Sequence, residues 1–388
     1  MSEIPENIQN QMLKEFERLL KYYQNGNYNE AKELASSLTE KFPNQPFPWK
    51  ILGVLFKQMG REHEALYANQ KAIEFDPQDI ESHINLGVIL NKLGRYKDAE
   101  INYRKVISLK PNFAEAHNNL GNTLKEMGKL KESQTSFMEA ISLKPDLTEA
   151  YTNLGSVFYI DGNIDSAIEE FEKANHLNPN LKINELLLKV SQAKKLGKQK
   201  SKNIDDVGYK LRVDSSPLIL KRKVESDLIP ALYKMDYREL EKTPDTRFGN
   251  GRCSPNYNMF KEDHSAVKNV ANDLIRIIES AVNSKIHVFD SFFNIYSTGA
   301  GITAHDHITK IDRDKNFNLA NKKYSLVYYL SVGDQDCSKP GVLKLYDPEY
   351  KILPSEGMIV IFPADRKHSS VYDGKIDRVL IGINFYCL

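Results

Sequence analysis

A 34-residue spacing of proline, glycine and alanine runs through the first half of the chain and leaves few folds open to it. The periodic positions are Pro43, Pro77, Pro111, Pro145 and Pro179; Gly26, Gly60, Gly94, Gly128 and Gly162; Gly53, Gly87, Gly121 and Gly155; and Ala31, Ala65, Ala99 and Ala167, with Ser133 in the remaining place. A period kept over four or five copies predicts a solenoid. Each unit reads as two amphipathic helices joined by a glycine turn, and the proline ends the second helix because it cannot continue the hydrogen-bond ladder.

Residues 12–181 resemble the tetratricopeptide repeat family through three features. These are the Leu-Gly pair of the first helix, the small residue of the second helix and the closing proline. The resemblance implies an all-α superhelix. An amphipathic segment, Ile183–Leu196, is expected to cap it, so we place the repeat domain at residues 12–198. The basic, polar stretch that follows predicts a linker at residues 199–207.

Asparagine also recurs at the 34-residue period, immediately before the Leu-Gly pair, at Asn85, Asn119 and Asn153. A side-chain amide both donates and accepts hydrogen bonds, which suits it to bind the backbone of an extended peptide. In similar superhelical arrays an asparagine ladder at this place lines the concave groove. Two interpretations stay open: the ladder binds a protein or peptide partner, or each asparagine bonds a neighbouring repeat.

Charge and cysteine content exclude several classes of function. The net charge of +1 argues against a nucleic-acid partner and against an anionic membrane surface. Three scattered cysteines fit a reducing compartment better than a disulfide framework. The first residues carry no apolar core of a signal peptide, and no apolar run approaches the roughly 20 residues of a membrane span. We therefore expect a cytoplasmic protein.

Beyond residue 207 the helical period gives way to strands. One amphipathic helix is predicted around Val267–Val282. Segments rich in valine, isoleucine and aromatic residues then predict the strands Ile286–Tyr296, Tyr324–Val332, Val342–Tyr346, Met358–Phe362 and Val379–Tyr386. Several strands without intervening helices favour an antiparallel sandwich or barrel over residues 208–388.

Three histidines in this second domain form a candidate metal site. His305 and His307 are two residues apart in a stretch that reads as strand, so their side chains are expected on one face. His368, from a distant strand, would complete a set of three ligands on one face of a metal ion. Arg378 follows ten residues later and is a candidate to bind a carboxylate.

The segment from Tyr296 to His307 resembles the first metal motif of the prolyl-hydroxylase-like oxygenases. Tyr328-Tyr329-Leu330, the strand before His368 and the position of Arg378 match later motifs of that family. The resemblance implies a double-stranded β-helix of the jelly-roll or cupin-like type with flanking helices. It also implies Fe(II), with 2-oxoglutarate and O2 as co-substrates, and Arg378 as the 2-oxoglutarate ligand. The family's Arg-x-Ser reads Arg378-Val379-Leu380 here, so the hydrogen bond of the serine to the co-substrate is lost. Tyr329 and Ser325 would have to contribute more to binding the co-substrate.

The sequence does not decide which residue is the third metal ligand. The family's carboxylate position holds His307, which would make a three-histidine site. Asp306, Asp312 or Asp314 could supply an oxygen instead. We favour His307, because alternation along a strand turns Asp306 away from His305.

The expected function is a 2-oxoglutarate- and Fe(II)-dependent dioxygenase that hydroxylates a protein or peptide recruited by the repeats. Two alternatives remain. One is a three-histidine, cupin-type metal enzyme that does not use 2-oxoglutarate. The other is a non-catalytic repeat scaffold with a degenerate barrel.

Overall fold

The structure is a computed structural model that describes residues 6–200, 216–240 and 246–388. These residues form two compact units, with the division between Leu188 and Lys189. The first unit is all-α, and the second is rich in antiparallel strands. Within the described residues, no helix is both long and apolar enough to cross a lipid bilayer.

The first unit is an array of helix pairs whose bounds follow the 34-residue period. The first helices of the pairs are α1 (Glu6–Gln24), α3 (Pro46–Gln58), α5 (Ile80–Lys92), α7 (Ala114–Glu126) and α9 (Thr148–Ile160). The second helices are α2 (Tyr28–Lys41), α4 (Glu62–Phe75), α6 (Tyr96–Leu109), α8 (Leu130–Leu143) and α10 (Ile164–Leu177). Each second helix ends two residues before a periodic proline, as the sequence predicts.

The last helix of the array, α11 (Lys182–Lys200), covers the predicted cap. The helical region therefore extends beyond the predicted bounds of 12–198 at both ends. Residues 199–200 of the predicted linker are helical, because the amphipathic segment continues into the basic stretch. Residues 201–207 lie outside the described residues.

The two periodic sets of glycine have different roles. Gly26, Gly60, Gly94, Gly128 and Gly162 join the helices of each pair with φ between +69° and +82°, a conformation that favours glycine. The second set lies inside the first helices, where a Cβ would overlap a side chain of the second helix. Gly87, Gly121 and Gly155 face Tyr103, Phe137 and Phe171 in this way, and Gly53 faces Asn69. The period thus pairs the smallest residue with a large buried one.

The second unit contains two antiparallel sheets. The seven-stranded sheet has the order β1-β10-β7-β12-β5-β4-β2 and the five-stranded sheet the order β3-β6-β11-β8-β9. The strands are β1 (Leu218–Lys221), β2 (Arg238–Glu239), β3 (Arg247–Phe248), β4 (Gly251–Cys253), β5 (Ile286–Tyr296), β6 (Ala300–His305), β7 (Lys323–Ser331), β8 (Leu343–Leu345), β9 (Tyr350–Ile352), β10 (Met358–Pro363), β11 (His368–Tyr372) and β12 (Arg378–Cys387). Each of the five strands expected from the sequence is present within about two residues of its predicted bounds.

Two helices complete the unit, α12 (Leu228–Lys234) and α13 (Ser265–Val282). The seven-stranded sheet is apolar on both faces. In β7, Leu326, Tyr328 and Leu330 lie in the core that includes α13. Tyr329, one residue out of phase, lies in a second core with residues of the five-stranded sheet such as Leu345. The period of two thus places a helix on one face and the second sheet on the other.

We predict that the substitution Gly121→Ala destabilises the repeat array. The new Cβ would meet the ring of Phe137, a fully buried side chain, and overpacking costs about 1–3 kcal/mol. A urea titration followed by circular dichroism should show the loss. The double variant Gly121→Ala/Phe137→Leu should recover part of it, since the shorter side chain makes room for the methyl group. If the double variant is no more stable than the single one, this overlap does not explain the periodic glycine.

Candidate functional site

Two of the predicted metal ligands lie opposite each other in the five-stranded sheet. β6 ends at His305, β11 begins at His368, and the antiparallel register pairs these two residues directly. Their ring centroids are 4.3 Å apart. His368 is buried and His305 is half-buried, so the pair marks the boundary between the interior and the surface.

His307 joins this pair, although not for the reason expected from the sequence. The prediction that a strand continues through His307 is wrong, because β6 ends at His305. The chain turns instead, and the backbone N–H of His307 donates to the carbonyl oxygen of Ala364 at 2.8 Å. This contact brings the His307 ring to 4.8 Å from that of His305 and 5.1 Å from that of His368.

The three rings offer nitrogens that lie within 4.8 Å of one another. His305 Nδ1 lies 2.8 Å from the carbonyl oxygen of Thr303, and His368 Nδ1 lies 3.4 Å from that of Arg366. Since a carbonyl can only accept, each Nδ1 carries the proton, and the lone pair of the neutral ring is on Nε2.

The electrostatic environment keeps the rings of His307 and His368 neutral. Burial, together with the nearby His305, lowers the pKa of His368 to about 3. Burial also holds the pKa of His307 well below its ordinary value, helped by His368, His305 and Lys323. A neutral imidazole is the form that binds a transition metal.

The aspartates considered as alternative ligands lie outside this cluster. Asp306 accepts the N–H of Ile308 at 3.1 Å, and Asp314 accepts the N–H of Asn316 at 2.9 Å. Both carboxylates therefore stabilise local turns. Asp312 belongs to a buried network on another side of His307.

That network centres on an ion pair between Lys323 and Asp312. The Nζ–Oδ2 distance is 2.9 Å, and the two side chains are 1% and 0% exposed. Lys323 also donates to the carbonyl oxygen of His307 at 2.7 Å, and Tyr386 donates to Asp312 at 2.7 Å. Burial by itself would raise the pKa of Asp312, but the hydrogen bonds from Lys323, Tyr386 and Thr309 lower it overall. The loop that carries His307 is therefore anchored by charge.

Arg378, the predicted carboxylate ligand, is fully buried at the start of β12. Its guanidinium donates to the backbone carbonyls of Val332, Pro340 and Gly341. No carboxylate in the described part of the chain lies within 4.0 Å of it. The guanidinium thus satisfies its hydrogen bonds but lacks a counter-charge.

Tyr329 and Ser325, the other predicted co-substrate ligands, line one cavity with His307 and His368. This cavity lies between the sheets and has a volume of about 50 Å³. Arg378 is not among its lining residues, but its guanidinium carbon lies 5.9 Å from the centroid of the Tyr329 ring. Tyr329 therefore lies beside both the cavity and the buried cation.

The sequence analysis missed two polar residues of the site, Asp290 and Asn384. Both line a second cavity with His305 and His307, and Asn384 lines the first cavity as well. The Asn384 side chain contacts Ser325, Asp290 and His307. A signal was present for Asn384, a polar residue between apolar and aromatic neighbours in β12, where an unpaired polar side chain would be costly. Asp290 carried no such signal, because Ser291 and Asn294 lie in the same strand.

In the repeat array, two of the three periodic asparagines contact the preceding repeat. Asn85 accepts a hydrogen bond from Lys57 at 2.9 Å, and Asn153 donates to Asn118 at 3.1 Å. Asn119 is half-buried. Contacts between repeats therefore account for part of the ladder, as one of the two interpretations requires. An amide has four hydrogen-bonding positions, so such a contact leaves capacity for a ligand.

Comparisons with known proteins identify the repeats. Models described as TPR repeat or tetratricopeptide repeat match residues 68–101, 89–128, 114–147 and 148–181. This part of the chain is a tetratricopeptide repeat domain, a module of protein–protein interaction. A search of curated proteins finds no match.

Among solved structures, the chain is similar to MamA, with 23% identity and a TM-score of 0.40 over 41% of this chain and 93% of MamA. It is also similar to PilF of Pseudomonas aeruginosa, with 19% identity and a TM-score of 0.42 over 50% of this chain and 87% of PilF. A third similar structure is YrrB, described as a TPR protein with an unusual peptide-binding site. It is 20% identical, with a TM-score of 0.38 over 44% of this chain and 88% of YrrB.

We predict that Lys323→Met destabilises the second unit, because it leaves Asp312 buried without its counter-charge. Breaking one side of a buried ion pair costs about 3–5 kcal/mol of unfolding free energy. Scanning calorimetry should show the loss as a lower Tm. The double variant Lys323→Met/Asp312→Asn has no unpaired charge and should regain part of it. Equal Tm values for the two variants would exclude the ion pair as the cause.

Proposed function

We propose that this chain, whose residues 68–181 are tetratricopeptide repeats, is a 2-oxoglutarate- and Fe(II)-dependent dioxygenase that hydroxylates a protein or peptide. The observation that carries the proposal is the combination of three converging imidazoles with a buried arginine that lacks a counter-charge. In this proposal the two antiparallel sheets are a double-stranded β-helix.

The donor set fits iron. Imidazole is a ligand of Fe(II), and His305 and His368 present Nε2 lone pairs held in place by the carbonyls of Thr303 and Arg366. His307 would be the third ligand. Three neutral imidazoles leave the full charge of the ion uncompensated, so an anionic co-substrate would be favoured at the remaining positions.

The environment of Arg378 supports the binding of a dicarboxylate. A buried guanidinium without a counter-charge is costly, and a carboxylate is a stronger acceptor than the carbonyls that it now bonds. Its planar fork pairs a carboxylate with two parallel hydrogen bonds. The Tyr329 hydroxyl, which lines the cavity, would assist at this end of the co-substrate, and Ser325, which lies beside Asn384 and His307, would contact its other end.

Fe(II) with 2-oxoglutarate and O2 supplies oxidative decarboxylation to succinate and CO2, coupled to hydroxylation of a C–H bond. The chain's own residues would orient the reactants. The histidines hold one side of the metal, and Arg378 and Tyr329 hold the distal carboxylate. Apolar side chains of the cavity, such as Phe292, Leu343 and Phe362, would exclude water.

We predict that the intact chain binds one Fe(II) per molecule and releases succinate from 2-oxoglutarate. Arg378→Lys should keep the buried charge but lose the planar fork. The affinity for 2-oxoglutarate should therefore fall by about 10- to 100-fold, the equivalent of one charge-assisted hydrogen bond. Calorimetric titration with 2-oxoglutarate would measure this. Iron content is the internal control, since a folded variant should still bind the metal.

The same experiment tests the second candidate, a three-histidine metal enzyme that does not use 2-oxoglutarate. The bonds from Arg378 to Val332, Pro340 and Gly341, and its absence from the lining of the cavity, favour that candidate. Iron binding with no effect of 2-oxoglutarate, in the unaltered chain and in Arg378→Lys alike, would select it. A chain that binds neither iron nor 2-oxoglutarate would be the non-catalytic scaffold.

The repeat array is proposed to recruit the substrate. Covalent linkage of a binding array to a catalytic unit raises the local concentration of a captured chain without any new contact. In this proposal the asparagine ladder binds the backbone of an extended polypeptide, so its sequence preferences are loose.

We predict that the triple variant Asn85→Ala/Asn119→Ala/Asn153→Ala loses affinity for a panel of extended peptides of unrelated sequence. With about 1 kcal/mol for each lost hydrogen bond, the effect should be at least about tenfold for every peptide that binds. Fluorescence anisotropy is a suitable measurement. The matched control is Ile101→Ala/Met138→Ala, two exposed positions on second helices, which should leave the affinity unchanged. Normal binding by the triple variant would exclude the ladder as the capture site.

A further inference from the structure

The side chain of Asn384 is held among three polar groups beside His307. Its Oδ1 accepts from the hydroxyl of Ser325 at 2.8 Å. Its Nδ2 lies 3.2 Å from Oδ2 of Asp290 and 3.5 Å from Nδ1 of His307. The side chain is 4% exposed, so these contacts are made away from bulk water.

Asp290 determines which end of the amide faces His307. A carboxylate oxygen accepts hydrogen bonds, so the amide nitrogen and not the amide oxygen must face it. If the Asn384 amide were rotated by half a turn, its oxygen would lie against Oδ2 of Asp290 as a second acceptor. The amide nitrogen carries two hydrogens. One therefore meets Asp290, and the other is directed at the His307 ring.

We propose that Asn384 is a positioning residue that holds the ring proton of His307 on Nε2, opposite to His305 and His368. A ring nitrogen that faces an N–H donor must present its lone pair, and a neutral imidazole then has its proton on the other nitrogen. In His305 and His368 the arrangement is reversed, because their Nδ1 atoms face carbonyl oxygens.

This difference makes His307 the conditional ligand of the site. In His305 and His368 the lone pair is already on Nε2, whereas the proton of His307 must leave Nε2 before that nitrogen can bind a metal. The contact at 3.5 Å is at the long limit of a hydrogen bond, so this arrangement can be displaced. The inference rests on the metal site of the proposed function, and it adds the residue that sets how firmly the third histidine binds. Groups that orient a ligating histidine typically change metal affinity by about 10- to 100-fold.

A charge-conserving exchange tests the proposal. The double variant Asp290→Asn/Asn384→Asp keeps the net charge and nearly the same side-chain volumes, but it reverses the polarity of the contact with His307. A carboxylate at position 384 would accept from His307 Nδ1, from Ser325 and from the new amide at position 290. The His307 proton should then lie on Nδ1, with Nε2 free.

The first readout needs no metal. Long-range ¹H–¹⁵N correlation spectra of the full chain, labelled with ¹⁵N-histidine and free of metal, distinguish the two ring tautomers. The His307 signal is identified by its loss in His307→Gln. We expect the Nε2–H form for His307 in the unaltered chain and the Nδ1–H form in the exchanged variant. The Nδ1–H form in the unaltered chain would overturn the proposal.

The second readout is the affinity for Co(II), titrated in competition with a coloured chelator. The exchanged variant should bind Co(II) about tenfold more tightly or better than the unaltered chain. Asn294→Asp is the matched control, since Asn294 is buried in the same cavity but bonds Arg247 and Tyr296 instead of a histidine. An equal gain in this control would mean that a carboxylate at any place in the cavity is sufficient, and the proposal would fail.

Different outcomes would contradict the metal site and the role of Asn384. Absence of Co(II) binding by the unaltered chain would overturn the proposed metal site itself. Co(II) binding that is equally tight, or weaker, in the exchanged variant would leave the metal site standing and overturn the role of Asn384.

Discussion

The antiparallel pairing of β6 with β11 is the constraint on which the candidate site depends. It sets His305 directly opposite His368, although 63 positions of sequence separate them. A shift of the register by one residue would turn every side chain of one strand to the other face of the sheet. Both strands belong to a sheet whose inner face packs on apolar residues of the seven-stranded sheet, so such a shift would also expose the core. The stability of the sandwich and the geometry of the histidines therefore have a single cause.

Polar groups inside the sandwich hold the parts that the strands do not reach. Lys323 and Asp312 anchor the turn that carries His307, and Asn384 orients its ring. Arg378 differs from these groups, since its cation is buried against backbone carbonyls and the rings of Tyr329 and Tyr372. A charge buried in this way is retained only at a cost in free energy. Burial strengthens each of these polar interactions, because charges and dipoles act more strongly away from water.

The repeat array is stabilised by a different principle. In four of the units, from α3–α4 to α9–α10, a glycine of the first helix packs against a buried side chain of the second, and this arrangement returns every 34 residues. Local packing of this kind makes stability a sum over neighbouring repeats. The asparagine ladder takes part in it, since Asn85 is buried, Asn119 and Asn153 are half-buried, and two of the three contact the preceding repeat. A modular repeat array and a sandwich with a buried polar site are joined in one chain.

The sequence by itself determined the helix pairs, since a period of 34 with glycine and proline at fixed places leaves no other arrangement. It also determined five strands, because alternation along a strand is a local property. The spacing of the histidines indicated which three form the candidate metal site. The short strands such as β2, β3 and β9 carry too few residues for a pattern, and only the sheets reveal them. The sequence argument correctly placed His307 near the other two histidines, but its reason was wrong, since the strand ends two residues before His307. The tertiary structure decided where that ring lies, through the carbonyl of Ala364 and the charge of Lys323. It also decided that Asp290 and Asn384 belong to the site and that the Arg378 guanidinium bonds backbone carbonyls. These contacts join residues far apart in the chain, and no local pattern records which distant group will meet a side chain once the sheets close.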